Sequence, residues 1–302
     1  MRAAVFDRYG PPEVVHIVEL PDPVPGPGQV RVRVRAAGVQ PFDVGVRRGW
    51  MRPGPEHFPH GIGQEYSGVV DLLGEGVSGL SPGDPVLGST MMNGQATHVV
   101  VDAGTVVPKP AEVDFPTAAA LVAAAQTASG ALLELGLTAG DVLLVHAAAG
   151  SVGTVAVQLA RLAGATVIGT ASPANHDYLR QLGAIPVAYG EGLVAAVRAA
   201  APGPVTVALD AAGRGAIAAS VELGVPRDRI GTIVDDKAAA DFGTRVVRAG
   251  RSPARLAEVV GLAARRVVTM PVRAYPLSEA AEAHAAVENG HGRGKVVLIV
   301  EP

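Results

Sequence analysis

Valine and arginine alternate strictly over Gln29–Ala36, a period of two that predicts a strand with one buried and one wet face. Arg31, Arg33 and Arg35 read as its solvated side. Ser67–Val70 and Thr97–Val101 are further strand-like runs, and Pro and Gly crowd the intervening stretches, as in Pro21–Gly28. The pattern changes at Phe115-Pro116. Thr117–Leu135 is built mostly from Ala and Leu, strong helix formers. Beyond it the strand-like segments Asp141–His146, Thr166–Thr170, Pro186–Tyr189, Val205–Asp210 and Ile230–Val234 appear. The helical patterns Val152–Ala163, His176–Leu182 and Leu193–Ala200 fall between the first four of them. That alternation predicts a parallel sheet covered by helices on both faces. Near the end, Pro276-Leu277-Ser278 caps a helix running to about Glu288. Lys295–Val300 is then an apolar strand with no helix after it, expected to rejoin the N-terminal β region.

With 302 residues, 48% of them hydrophobic and 18% charged, the chain has material for two domains with buried cores. Aromatics make up only 4%, so those cores must be aliphatic. A formal charge of -3 offers no basic stripe for nucleic acid and no pull toward anionic membranes. The chain has no cysteine, which excludes disulfides, thiolate catalysis and Cys-containing zinc sites. The opening residues lack a signal-peptide pattern and the apolar runs read as broken before about 18 residues, so a cytoplasmic protein without a membrane span is expected.

The most informative segment is Val142–His146 followed by Ala147-Ala148-Ala149-Gly150-Ser151-Val152-Gly153 and a helix. Against the G-x-G-x-x-G fingerprint, the three glycine positions fall on Ala148, Gly150 and Gly153. Gly150 would let backbone approach a pyrophosphate, and Gly153 would let helix and strand pack closely. The amides at the helix start, from Ser151 and Val152 on, would face the phosphates. At the tip of the second strand, Ala171-Ser172-Pro173-Ala174-Asn175 carries no acid to select the 2′-hydroxyl of NAD. Ser172, Asn175 and Tyr189 can donate hydrogen bonds to a 2′-phosphate, although Asp177 stands close. NADP(H) is the expected cofactor.

The segment VLLVHAAAGSVGTVAVQLARLAGATVIGTAS resembles the cofactor motif of zinc-less quinone oxidoreductases, a branch of the medium-chain dehydrogenase/reductase superfamily. Further resemblances run along the chain. Ala36–Asp43 is similar to A-x-G-x-N-x-x-D, Gly63–Val70 to G-x-D/E-x-x-G-x-V, Gly83–Val86 to G-D-x-V, and Gly292–Leu298 to the closing G-K-x-V-L strand. The resemblance implies an α/β fold in two parts. A GroES-like β-rich catalytic domain would take residues 1–115 and 268–302, and a Rossmann-type doubly wound parallel sheet domain residues 116–267. It also implies a homodimer and a nicotinamide in the cleft. Zinc-dependent relatives have a Cys where this chain has Gln40, a His where it has Gln64, and their third catalytic ligand near Ala123, so no metal is expected.

The activity this resemblance implies is zinc-free hydride transfer from NADPH to a quinone or an enone. Gln40 is the first candidate to hydrogen-bond the acceptor oxygen and Gln64 the second. Tyr66 is a candidate proton donor and Asp43 a candidate for substrate contact. Thr127 and Lys295 are placed with the cofactor residues, and Phe42 and Trp50 with the pocket wall. Each has a plainer alternative. The two glutamines can satisfy buried backbone groups, Tyr66 can be a strand residue, and Asp43 can cap a helix or pair with Arg47. Glu65 reads as an anchor, His57 and His60 as exposed loop histidines, and His146 as structural. The rival function is a non-catalytic NADPH-binding sensor or partner protein.

Overall fold

The alternating run becomes the strand Gln29–Val39, with Val30, Val32 and Val34 buried and Arg33 exposed. The computed structural model describes residues 1–52, 58–248, 250–290 and 292–301. His57 lies outside the described residues. The chain divides into two units. One comprises Met1–Ala123, Ser252–Arg266 and Met270–Pro302, and the other Ala124–Arg251 with Val267–Thr269.

The first unit is built on a seven-stranded sheet. Its order is Val272–Pro276, Lys295–Ile299, Gln29–Val39, Glu65–Leu73, Pro85–Ser89 and Val107–Pro108, with His98–Asp102 also paired to Gln29–Val39. The expected return of the last strand occurs: Val296–Ile299 pairs antiparallel with Ala36–Val39. A second sheet joins Val15–Glu19, Arg2–Phe6 and His60–Gly61. The core is largely valine and alanine, with Phe6 and Tyr66 as its fully buried aromatics. His60 is half-buried and stacks on the Phe6 ring at 5.3 Å between centroids, so it is not the exposed loop residue expected from the flanking Gly and Pro.

The second unit carries a six-stranded parallel sheet. Its order is Ile185–Ala188, Thr166–Ala171, Val142–His146, Val207–Asp210, Ile230–Thr232 and Arg245–Val246. In order of sequence that is 3-2-1-4-5-6, the doubly wound order of dinucleotide-binding sheets. The helix-like segments form as Ser151–Leu162, His176–Gln181 and Leu193–Ala200.

The helix Phe115–Glu134 corrects the reading of the apolar runs. It is long and apolar enough to cross a membrane by length and composition, but 67% of its most apolar window is buried inside the protein. Before its terminal Glu134 only uncharged residues (Thr117, Gln126, Thr127, Ser129 and Gly130) interrupt it.

Two buried devices hold the first unit. Lys295 Nζ forms an ion pair with Glu65 Oε1, with both side chains essentially inaccessible. The other oxygen, Glu65 Oε2, accepts from the Ala123 amide at 2.8 Å, so one carboxylate ties the last strand, the strand Glu65–Leu73 and the long helix. Arg47, fully buried, donates to Glu288 Oε2 at 2.6 Å and to the Gly10 carbonyl at 3.2 Å. Arg47 therefore serves Glu288 and not Asp43. Replacing Lys295 with Met would leave a buried carboxylate unpaired. The expected cost is about 3–5 kcal/mol in urea denaturation, with most of it recovered by adding Glu65→Gln.

Each unit also buries a neutral histidine. His146, at the end of its strand, sits 3.0 Å from Ser220 Oγ, and burial holds its pKa down at about 4, with Asp210 opposing. His284 faces Gln95 Oε1 at 3.1 Å, and burial, helped by Arg47, lowers its pKa to about 3. The unfolded chain takes up protons at these positions near pH 6.5 and the folded chain does not. Stability is therefore full above pH 6.5 and falls as the pH drops toward 4, where each histidine costs about 3 kcal/mol. A melting series from pH 7 to pH 4 should show this decline, shallower in His284→Gln; an unchanged slope in that variant would contradict the assignment.

Candidate active site

In the parallel sheet, Val142–His146 lies between Thr166–Ala171 and Val207–Asp210, so strand order reverses beside it. Ligands bind outside the carboxyl ends of strands at such a switch point. The chain leaving His146 turns at Ala147, whose φ of 56° is left-handed, and the Ala148 amide donates to the Thr170 carbonyl at 2.9 Å. Gly150 is the N-cap of Ser151–Leu162, and the first helical bond runs from the Thr154 amide to the Gly150 carbonyl at 2.8 Å. The amides of Ser151, Val152 and Gly153 thus stand at the uncapped end of a helix, where partial positive charge gathers.

The three fingerprint positions differ in what the fold demands of them. A β-carbon on Gly153 would strike the Ala147 carbonyl oxygen and lie 2.6 Å from Ala148 Cα, both backbone atoms that cannot step aside. Gly153 is therefore required by the contact of helix on turn. Gly150 is not: its φ is -70°, and a β-carbon there would meet only the Ala147 oxygen, at 3.4 Å. What its bare backbone provides is an open face at the helix mouth. Ala148, the departure from the fingerprint, is fully buried, and its methyl group occupies the space left by Gly169 on the next strand.

At the tip of that strand, Ser172 and Asn175 are half-buried and linked, with Asn175 Nδ2 donating to Ser172 Oγ at 3.3 Å. Tyr189, just past Ile185–Ala188, is 57% exposed. Asp177 is engaged by Arg180 at 2.5 Å, so the acid near this tip is neutralised from its own helix. Thr127 is half-buried in the second unit's share of the long helix.

A network missed in the sequence closes the other side of this sheet end. Asp210 Oδ1 accepts from the amides of Ala212 and Gly213 at 2.8 and 2.7 Å, and Oδ2 accepts from Thr232 Oγ1 at 2.8 Å. Thr232 Oγ1 accepts in turn from the amides of Val234 and Asp235. The signal available was an Asp ending one buried strand and a Thr ending the next.

In the first unit, Gln40 and Asp43 form a reciprocal capping box on the helix Pro41–Arg47. The Asp43 amide donates to the Gln40 backbone carbonyl at 3.0 Å, and Asp43 Oδ2 accepts from the Gln40 amide at 3.0 Å. Asp43 is fully buried and acts as this cap. Gln40 Nε2 donates to Gln64 Oε1 at 2.9 Å, and Gln64 Nε2 lies 3.6 Å from the sulfur of Met91, which is 60% exposed. Sequence reasoning overlooked Met91. Trp50 is 73% exposed, whereas Phe42 is half-buried against the β core.

Two expected roles lose their footing here. Tyr66 is fully buried, its hydroxyl has no hydrogen-bond partner among the described residues, and burial raises its pKa, so it presents no proton to a reacting group. The ammonium of Lys295 is sequestered by Glu65 in the first unit's interior, which removes it from the cofactor residues.

Residues 26–111 match the model of the alcohol dehydrogenase GroES-like domain, and residues 182–298 that of the zinc-binding dehydrogenases. The chain superposes on the quinone oxidoreductase of Coxiella burnetii with a TM-score of 0.88 and 30% identity, covering 100% of this chain and 99% of that one. It belongs to the quinone oxidoreductase-like branch of the medium-chain dehydrogenase/reductase superfamily. As an oxidoreductase of this superfamily it combines the GroES-like and α/β parts that the resemblance implied. The quinone oxidoreductase of Escherichia coli complexed with NADPH superposes with a TM-score of 0.87 and 26% identity, covering 99% of this chain and 100% of that one. A spectinabilin polyketide synthase system protein of Streptomyces orinoci is 37% identical over 292 residues, 89% of this chain. The chain spans 13% of that synthase's length.

The zinc implied by the second family model does not fit this oxidoreductase. At the positions of two ligands it has the amides of Gln40 and Gln64, bonded to each other, and at the third Ala123. Among the described residues no group of three His, Asp or Glu is placed to hold a metal ion. A nicotinamide nucleotide does fit: the helix mouth at Gly150–Gly153 offers amides and an open backbone face to a pyrophosphate.

Gly153→Ala is expected to cost about 1–3 kcal/mol of stability through overpacking. It should also weaken dinucleotide binding at least about tenfold, because the amides shift off their target. Ala148→Gly should leave affinity within about threefold, since only buried methyl packing changes. Calorimetric titration of both variants with NADPH checks the contrast; equal losses would contradict it.

Proposed function

We propose that this oxidoreductase uses NADPH to reduce a quinone or the carbon–carbon double bond of an α,β-unsaturated carbonyl compound, without metal. The observation that carries the dinucleotide part is the uncapped helix start whose Gly150 the fold itself does not need. A bound phosphate accounts for an open backbone face there. NADPH over NADH is supported by the acid-free tip holding Ser172 and Asn175, by the exposed Tyr189 hydroxyl, and by the pairing of Asp177 with Arg180. The E. coli neighbour complexed with NADPH supports the same choice.

When bound, the cofactor supplies hydride, and the protein's task is to bind, orient and stabilise. The amides of Ser151, Val152 and Gly153 would hold its diphosphate, and Thr127 would contact the nicotinamide ribose. Hydride arriving at the β-carbon of an enone, or at a quinone, places negative charge on the acceptor oxygen. Gln40 is the donor we assign to that oxygen. One of its N–H groups is donated to Gln64, and the second remains to donate. A fixed donor aimed at developing charge is the most effective form of such stabilisation. Water supplies the proton that completes the reduction, in place of Tyr66. The exposed surfaces of Trp50 and Met91 favour a flat apolar acceptor.

Turnover of NADPH with a panel of quinones and enones tests this reading. Gln40→Ala should lower kcat about a hundredfold while the Kd for NADPH stays within about twofold. Tight NADPH binding with no turnover on any acceptor would favour the sensor instead, and unchanged turnover in the variant would remove Gln40 from the mechanism.

A further inference from the structure

The pair Asp210–Thr232 lies where the sheet changes direction, and none of the roles assigned so far uses it. Both residues are buried, at 1% and 0% exposure. They end neighbouring parallel strands, Val207–Asp210 and Ile230–Thr232, in register with each other, and Asp210 is in register with His146, the last residue before the phosphate turn. One carboxylate and one hydroxyl together take four backbone amides, those of Ala212, Gly213, Val234 and Asp235. The Ile233 amide adds a fifth bond, to the Asp210 carbonyl at 3.0 Å. The loops that begin at residues 211 and 233 are thereby locked to each other and to the strand ends. The hydroxyl is the hinge of the arrangement, since it donates to Asp210 while accepting from both amides of the second loop. Asp235 continues the chain of bonds by capping the next helix at the Ala238 amide, 2.9 Å away.

Such a device is more than a sheet terminus needs. Loops at the carboxyl ends of strands usually meet water, which satisfies their amides at no cost in buried charge. Here a buried carboxylate replaces water, and Val234, immediately after the clamped strand, is left 51% exposed. We propose that Asp210 and Thr232 are positioning residues for the dinucleotide. They hold the two loops in the bound arrangement before the ligand arrives, so that binding does not have to order them. This inference rests on the dinucleotide reading above and adds to it a source of affinity outside the glycine turn.

The test compares Thr232→Val, which keeps the shape and removes the hydroxyl, with Thr232→Ser, which restores it. Unlocked loops would leave roughly a tenth of the molecules competent, so the Kd for NADPH should rise about tenfold in Thr232→Val. Affinity should return to within about twofold of the wild type in Thr232→Ser. Hydrogen exchange on the unliganded wild type should show the amides of Ala212, Gly213, Val234 and Asp235 protected, with Val234 and Asp235 losing protection in the Val variant. Wild-type affinity in a folded Thr232→Val, or equal weakening in Thr232→Ser, overturns the inference while leaving the dinucleotide reading intact. If the Val variant does not fold, the wild-type exchange decides, and fast exchange at those four amides overturns it. Failure of the wild type itself to bind NADPH overturns the dinucleotide reading, and this inference with it.

Discussion

The helix Ser151–Leu162 sits so close on the turn before it that no β-carbon fits at Gly153. This contact sets where the helix starts and hence where its unpaired amides point. The parallel sheet brings the same point to the reversal of strand order, with Thr166–Ala171 on one side and Val207–Asp210 on the other. A helix start aimed at the edge of a crevice is an anion site by geometry and by dipole. Cofactor choice, the strand tips and the clamped loops all take their meaning from that one approach distance.

The periodicity of the chain made most of the parallel sheet legible, because the strands Val142–His146, Thr166–Ala171, Val207–Asp210 and Ile230–Thr232 are buried almost throughout, whereas the exposed edge strand Arg245–Val246 and the short helices Ala216–Glu222 and Asp236–Phe242 were not read. The glycine turn was legible for the same reason: steric exclusion leaves a mark in residue type. Networks that depend on side chains far apart in sequence were not. Lys295 and Glu65 are ordinary residues in a strand pattern, and nothing local says that one neutralises the other. Tyr66 could be read as a hydroxyl near a site until its strand register put it in the core. Asp210 looked like a strand end and Thr232 like the middle of a strand read as Ile230–Val234, whereas the strand stops at Thr232.

The pair Gln40 and Gln64 shows how a position can lose metal chemistry and keep a polar use. The capping box holds Gln40 at the start of a helix only seven residues long, and Gln64 takes one of its N–H groups. Two amides that bond to each other have no thiolate or imidazole to offer a metal. The buried Glu65, whose neighbour in the chain is Gln64, is neutralised by Lys295 and bonded to the Ala123 amide, so the strand carrying the pair is fixed from inside.

The role assigned to the backbone amides at the head of the helix Ser151–Leu162 is to hold a dinucleotide phosphate. Backbone-resolved nuclear magnetic resonance of the isotope-labelled chain, titrated with NADPH, addresses it directly. Saturable shifts are expected, largest at Ser151, Val152 and Gly153, with the proton signals moving downfield as charged hydrogen bonds form. Saturation with those three signals unmoved, or no shift anywhere in the chain, would contradict it.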